Sequence, residues 1–526
     1  MSPSAAVPMS VPTAVPVVPR VSVDEALEGF FGPLVDVLES IVFFAVPIGE
    51  AQLPLLVVWL FGGAVFLTVL VGFKPWRDLP HSLKIIRGHY NRYDDPGQVT
   101  SFQALATELS GTVGLGNIAG VAVAISIGGP GASLWIIIAG LLGMSVKMAE
   151  AVLGQKYRRV HANGTISGGP MYYLRDGLAE RGLPRLGKVL SYAFAVFMMI
   201  GALGAGNVFQ ANQLAAQVTL ATGGEDSFFA GSAWLIGLGV AVVAGTVILG
   251  GITSIARWTS KLTPLMAMLY LGCVLVILAV NITQLPAAIG LMFSSAFTGE
   301  GVTGGLVGVA IIGIQRAVFS NAAGVGTAGL AHSVTKNRRP AQEGFVAAWE
   351  PFIDSVVICT MTALAVIVTG QYLNTSSDGV GITTAAFATV NSVFPYLLTV
   401  CVVLFAFSTI LSYSYYGKKA TGYLFGDSWI AERLYDLVWV VMIVVGAAVS
   451  LDTVIRFSDA MFFLMTVPNL LGVFLLARVI RREVFGHRED LRTGQLPLVA
   501  HADRSTIMGH PTTGARADTG PSVVET

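Results

Sequence analysis

The stretch Val113-Gly114-Leu115-Gly116-Asn117 interrupts one hydrophobic run of the chain, and Ala323-Gly324-Val325-Gly326-Thr327 interrupts another, 210 residues further on. Apolar segments broken by glycine at corresponding places in two halves are the mark that secondary transporters leave in sequence, because their discontinuous helices expose backbone groups at mid-membrane. Unwound backbone survives in lipid only where protein encloses it, so residues 110–117 and 319–327 are expected to face each other across a cavity. The competing reading of each Gly-x-Gly is close helix packing, which small residues also serve. Recurrence in two matching helices favours the cavity.

The surrounding chain is that of a polytopic membrane protein. Its 526 residues are 54% hydrophobic and 12% charged, against about 25% charged in soluble domains, and the mean hydropathy is +0.71. Cys273, Cys359 and Cys401 all lie in apolar runs, which excludes a disulfide frame and a CxxC metal site. Residues 1–22 have only Arg20 as a basic group and no basic segment before an apolar run, so no cleavable signal is expected. Residues 487–526 are polar and predict a disordered cytoplasmic tail.

Stretches of about 20 apolar residues, enough to cross a bilayer, fall near 53–73, 104–127, 132–155, 189–221, 232–251, 262–281, 306–331, 344–370, 395–416, 434–450 and 453–477. Eleven spans put the two ends on opposite sides. Alternate connections, including the basic stretches around Lys74 to Arg92, Lys156 to Lys188, Arg257 and Lys261, Lys336 to Arg339, and Lys418 to Arg433, together with the tail after Arg478, hold 27 of the 31 Lys and Arg residues. The face rich in Lys and Arg is cytoplasmic. The N-terminal segment, the acidic loop at 223–226 and the loop at 375–391 are then expected outside.

Residues 1–50 thus read as an extracellular segment and 51–75 as an extra first span. The ten helices after it divide into an inverted five-plus-five repeat, 104–281 and 306–480, each half opening on a broken helix. That is the arrangement of the leucine-transporter-like (LeuT-like) all-α fold.

Longer motifs sharpen the reading. They include Ser101-Phe102-Gln103-Ala104-Leu105-Ala106-Thr107, Gly128-Gly129-Pro130-Gly131-Ala132, Lys147-Met148-Ala149-Glu150 and Gly168-Gly169-Pro170-Met171-Tyr172-Tyr173-Leu174. Asn207 with Gln210 and Asn212, Phe319-Ser320-Asn321, Phe352-Ile353-Asp354, Ser414-Tyr415-Tyr416-Gly417 and Pro468-Asn469 follow in order. Over about 75–480 the chain resembles the alanine or glycine:cation symporter family. It departs from that pattern at Glu108, Leu134-Trp135-Ile136, Ala322 and Tyr413.

The resemblance implies sodium-coupled uptake of alanine or glycine by alternating access, with no covalent chemistry, no cofactor, no nucleic acid and no obligate protein partner. For Na⁺ it nominates the carbonyls of Ser110, Val113 and Phe405 and the hydroxyls of Ser408 and Thr409, although hydroxyls in membrane helices also bond their own backbone. The substrate carboxylate is expected at N–H groups of the first break, around Thr112, Gly114, Leu115 and Gly116. Its ammonium is expected at carbonyls of Phe319, Ser320 and Asn321 and at the Asn207 side chain. Phe319, Thr409 and Tyr413 form the expected wall around a methyl group, and the glycines leave room for little more.

Ionisable residues in lipid are expensive, hence functional candidates. Lys147 and Glu150, three positions apart, predict a mutual ion pair. Asp354, about 15 Å into its helix by the helical rise, is an ion-linked group or a hydrogen-bond hub. Glu108 precedes the first break and motivates a proton-coupled or exchange alternative, while Arg316 and Asp459, on outer halves of their helices, predict an extracellular gate. Six of the seven histidines fall in expected loops or tails and His332 at a helix end, which argues against an integral-membrane enzyme. A channel is the remaining rival.

Overall fold

The computed structural model describes residues 36–37, 39–40, 42–48, 51–162, 164–298, 305–373, 379–449, 451–500 and 503–504. A hairpin, β1 (Ala45–Ile48) and β2 (Ala51–Pro54), leads into α1 (Leu55–Leu70), a 16-residue apolar helix at the place where the sequence puts an extra first span. After it α2 (Leu79–Ile86) lies ahead of the first broken helix.

That helix begins sharply because Thr100 and Gln103 form a reciprocal capping box, satisfying donors that a helix start leaves free. Its first half, α3 (Ser101–Thr112), ends where Val113 adopts ψ 84°. The second half, α4 (Gly116–Gly128), leaves at 51° to the first. Then come α5 (Ala132–Lys156), α6 (Pro184–Ala221), α7 (Trp234–Ile248) and α8 (Gly251–Val280). The second broken helix repeats the design: α10 (Gly305–Asn321) stops, residues 322–326 run unwound, and α11 (Thr327–Ser333) resumes. Between the two broken systems lies α9 (Leu285–Thr298). After α11 come α12 (Pro340–Val368), α13 (Val380–Ala388), α14 (Phe394–Leu424), α15 (Trp429–Ala448), α16 (Leu451–Leu475) and α17 (Ala477–Arg492).

The unwinding has different causes in the two breaks. In the second, Ala322 has φ 54° and Gly324 and Gly326 each φ 96°, a left-handed backbone that glycine tolerates best. Gly114 and Gly116 carry no positive φ. Their role is close approach: a Cβ on Gly114 would stand 2.8 Å from Thr409 Oγ1.

Several boundaries differ from the sequence expectation. Arg257 and Lys261, expected in a loop, lie inside α8, because the chain already turns at Gly251 with φ 67°. Likewise α12 starts at Pro340 rather than 344, with Pro at its first position, where the missing N–H costs nothing. Two segments expected as outer loops carry helices, α9 and α13. The first docks where Gly131 passes so close that a Cβ would meet Ala296 N at 2.3 Å, and Trp135 Nε1 donates to the Ala296 carbonyl at 3.1 Å. The second covers α4 through Thr383, whose hydroxyl donates to the Ile118 carbonyl at 3.1 Å.

The expected disordered tail is also corrected at its start. Residues 487–492 complete α17, His487 is buried, and Val499 N donates to the His89 carbonyl. Amphipathic patterning across 477–492 is the reason, since the apolar face of α17 covers Val479, Ile480 and Val484. The rest of the tail, and most of the N-terminal segment 1–50, lie outside the described residues.

Candidate functional site

Four of the five oxygen atoms nominated for a cation lie together. Thr409 Oγ1 lies 2.9 Å from the Ser110 carbonyl and 3.0 Å from that of Phe405, and Ser408 Oγ lies 3.4 Å and 3.0 Å from the same two oxygens. Ser412, one turn on, donates to the Thr107 carbonyl at 2.8 Å and bridges to the Ser110 hydroxyl. Val113, whose ψ of 84° takes its carbonyl out of the helical ladder, ends the same turn. Every one of these side chains is buried. Carbonyl and hydroxyl oxygens are the donor set of a hard cation, and the Met266 thioether, 3.4 Å from Ser408 Oγ, borders them.

Beside this cluster the two breaks touch. A Cβ added at Gly116 would sit 3.4 Å from Ser320 Cα and 3.5 Å from the Phe319 ring. Freed N–H groups of the first break are held by side chains: Gly114 N donates to Asn117 Oδ1 at 2.9 Å and Leu115 N to Gln210 Oε1 at 3.4 Å. Thr112 sends its hydroxyl back to the Glu108 carbonyl at 3.1 Å. Phe319 packs edge-on against Phe209, with centroids 5.6 Å apart, and beside Phe462 at 5.2 Å. Tyr413 closes the opposite side against Gly206 and Gly111. Asn207 donates to the Trp439 carbonyl at 2.8 Å, while its buried Oδ1 has no partner. A bound ammonium group would satisfy such an oxygen.

Asp354 is a hub. It accepts from Asn117 at 2.6 Å, Ser320 at 2.8 Å and Ser355 at 2.9 Å, so one carboxylate ties the first break to the second. Asn321 reaches the same helix through Ser355 at 2.9 Å and caps its own break by accepting from Ala323 N. Above, Arg316 pairs with Asp459 at 3.4 Å, and its guanidinium lies 5.9 Å from the Phe319 ring centroid.

The expected Lys147–Glu150 pair does not form. Lys147 turns to Glu108 at 2.5 Å and Glu350 at 3.4 Å, whereas Glu150 Oε1 accepts from Gly324 N, Gly326 N and Asn469 Nδ2. Unwinding frees N–H donors that need an acceptor, which the Glu150 carboxylate supplies and an ammonium cannot, and Glu108 is close enough to neutralise Lys147. Glu108 also accepts from Thr327 and Tyr416, so it ties α3 to α11 and α14.

Residues 38–501 match the sodium:alanine symporter family. The chain belongs to this family. It is 40% identical to the sodium/alanine symporter AgcS of Methanococcus maripaludis over 440 residues, covering 83% of this chain and 94% of that protein. It is 30% identical to the probable sodium/glutamine symporter GlnT of Bacillus subtilis over 447 residues, covering 84% and 90%. Its fold is similar to that of MhsT in complex with L-phenylalanine, with a TM-score of 0.52, 15% identity and coverage of 72% and 88%. The family member described here is accordingly a multi-pass membrane transporter of LeuT-like fold, not an enzyme.

Asn117 and Gln210, which the motifs include without a separate role, hold the first break, and Glu343, Glu350 and Arg158, which no motif singles out, join the buried polar network beside it. Arg158 donates to the carbonyls of Pro96, Ser333, Thr335 and Asn337 at 2.5–3.0 Å, and burial pulls its guanidinium down to about 10. It thereby stitches the approach to α3 onto the end of α11, where Gln98 N donates to the Val334 carbonyl and Lys336 N to that of Val99. Gly97 is pressed against Thr335 and Lys336 there. Glu350 sits seven residues beyond Glu343 in an apolar helix, a signal that the cost of intramembrane charge makes legible.

Proposed function

We propose that this transporter couples Na⁺ entry to the uptake of alanine or glycine by alternating access, from the outer face of the cell membrane to the cytoplasm. The observation that carries this reading is the Ser110, Phe405, Ser408 and Thr409 oxygen cluster set directly against Gly114, with 2.8 Å between an added methyl and Thr409 Oγ1. Cation and substrate then share one wall, so each pre-organises the site for the other.

The cation binds at those oxygens and at the Val113 carbonyl. The substrate carboxylate displaces Asn117 or Gln210 from the N–H groups of the first break, and the ammonium meets Asn207 Oδ1 and carbonyls of residues 319–321. Phe319 and Tyr413 bound the side chain. A glutamine side chain, as named for GlnT, is disfavoured by the contact of Gly116 with Phe319 and Ser320. The distribution of Lys and Arg supports an extracellular N-terminus and a cytoplasmic C-terminus, with 104–281 and 306–480 as the two inverted repeats.

The test is uptake into proteoliposomes of purified protein, offered labelled alanine, glycine or glutamine under imposed Na⁺ or H⁺ gradients. Na⁺-driven accumulation of alanine or glycine is expected. Accumulation driven by H⁺ alone, or glutamine uptake above both, would replace the reading.

A further inference from the structure

A row of ionisable side chains, all fully buried, runs from the second break toward the cytoplasmic connections. Lys147 Nζ contacts Glu108 at 2.5 Å, Thr327 at 3.0 Å and Glu350 at 3.4 Å. The other oxygen of Glu350 lies 2.7 Å from His332 Nε2, and His332 Nδ1 lies 2.8 Å from Glu343 Oε2. Glu343 Oε1 then accepts from Ser101 at 2.5 Å and Asn337 at 3.0 Å, and Ser101 from Asn91 at 2.8 Å.

The imidazole decides what this row holds. A neutral ring offers one N–H and one lone pair, yet both nitrogens of His332 face carboxylate oxygens at hydrogen-bond distance. Each N···O line needs a proton, so Glu343, His332 and Glu350 together hold one proton more than a neutral histidine between two carboxylates. Charge counting agrees. The groups facing the row are Glu108 from α3, Lys147 and Glu150 from α5, Glu343 and Glu350 from α12, His332 from α11, Tyr416 from α14 and Arg158 beside Glu343. Four carboxylates confront Lys147, Arg158 and the ring, and an uncompensated charge in a dry interior is costly.

His332 lies on α11 and both glutamates on α12, and α3 covers them through Ser101 on Glu343 and Glu108 on Lys147; withdrawing α3 to open the cytoplasmic side removes that cover and admits water, in which an imidazole loses its proton near neutrality. We propose that Glu343, His332 and Glu350 form a proton-binding site, which takes up a cytoplasmic proton as the inner side closes and gives it back when that side opens. Cytoplasmic acid therefore holds the inner side shut. This rests on the alternating-access reading above, and adds a second, cytoplasmic cation to it.

Right-side-out membrane vesicles, with the Na⁺ gradient and external pH fixed and the internal pH clamped at about 6 or about 8, test the site. The initial rate of alanine uptake is expected to be at least about threefold lower at the acid internal pH, the one-proton limit being tenfold per pH unit, and to be insensitive to external pH. His332→Gln and Glu343→Gln should flatten the internal dependence, and either variant suffices if the other fails to reach the membrane. A wild-type rate equal at both internal pH values, while Na⁺-driven uptake persists, overturns the proton site alone. Internal dependence that survives both substitutions, or disappears only in His487→Gln, overturns it too. No uptake at any internal pH would overturn the transport reading and this one with it.

Discussion

The hydroxyl of Thr409 stands 2.9 Å from the carbonyl oxygen of Ser110, across the gap between α14 and the last turn before the first break. Ser408, its neighbour, is farther from that oxygen at 3.4 Å. Thr409→Ala removes a side-chain oxygen from the proposed cation site, otherwise made largely of carbonyls, and should raise the half-saturating Na⁺ concentration about tenfold, a loss of about 1.5 kcal/mol. Ser408→Ala should have a smaller effect in the same direction. Uptake measured against Na⁺ concentration, at saturating substrate, checks both; an unchanged half-saturation in the two variants would move the ion elsewhere.

The glycines separate by what surrounds them. Gly114→Ala drives a methyl to 2.8 Å from Thr409 Oγ1, so it should abolish Na⁺-dependent uptake while protein still reaches the membrane. Gly116→Ala meets only ordinary contacts at 3.4–3.5 Å and narrows the substrate wall. It should depress alanine uptake more than glycine uptake. Equal loss of both substrates would show that Gly116 serves helix packing.

Much of this site is legible in the sequence because its chemistry is local. The two cassettes, Ser408-Thr409 and Arg316 each sit within a few residues of the element that uses them. Partners contributed by distant helices are not legible in that way. Nothing in the spacing of Lys147 and Glu150 shows that the unwound N–H groups of Gly324 and Gly326 claim the carboxylate. His332 looks like a helix-end histidine until α12 brings Glu343 and Glu350 to both sides of it. Helices α9 and α13 were missed for another reason: at 14 and 9 residues they are too short to span a bilayer.

Arg316 and Asp459 meet at 3.4 Å and are only partly buried. Opening of the outer side should break the pair. Cysteines placed at the two positions are expected to crosslink more readily with Na⁺ and alanine bound than with Na⁺ alone. A permanent structural pair predicts crosslinking independent of ligand, and lowered stability of Asp459→Asn through the charge left on Arg316.

His81 of α2 and His487 of α17 meet nitrogen to nitrogen at 3.0 Å. Burial, with positive charge nearby, lowers His81 to about 4 and His487 to about 3. Both rings are therefore neutral when docked. Docking contributes its full stability above the free-histidine value of 6.5 and loses it as pH falls through the depressed values. Protection of 477–492 from hydrogen exchange, taken relative to the intrinsic amide rate at each pH, should be high at neutral pH and fall progressively below about pH 6. His487→Gln should flatten that profile, and a profile unchanged by this substitution would place the pH response elsewhere.

The most direct test of the central claim is a simultaneous measurement of radiolabelled sodium and radiolabelled alanine entering the same proteoliposomes. Coupled transport requires that neither flux proceed without the other, that their ratio stay fixed as either gradient is varied, and that Thr409→Ala lower both together at limiting Na⁺. Alanine entry that proceeds at full rate without sodium, or sodium entry indifferent to alanine, would contradict it.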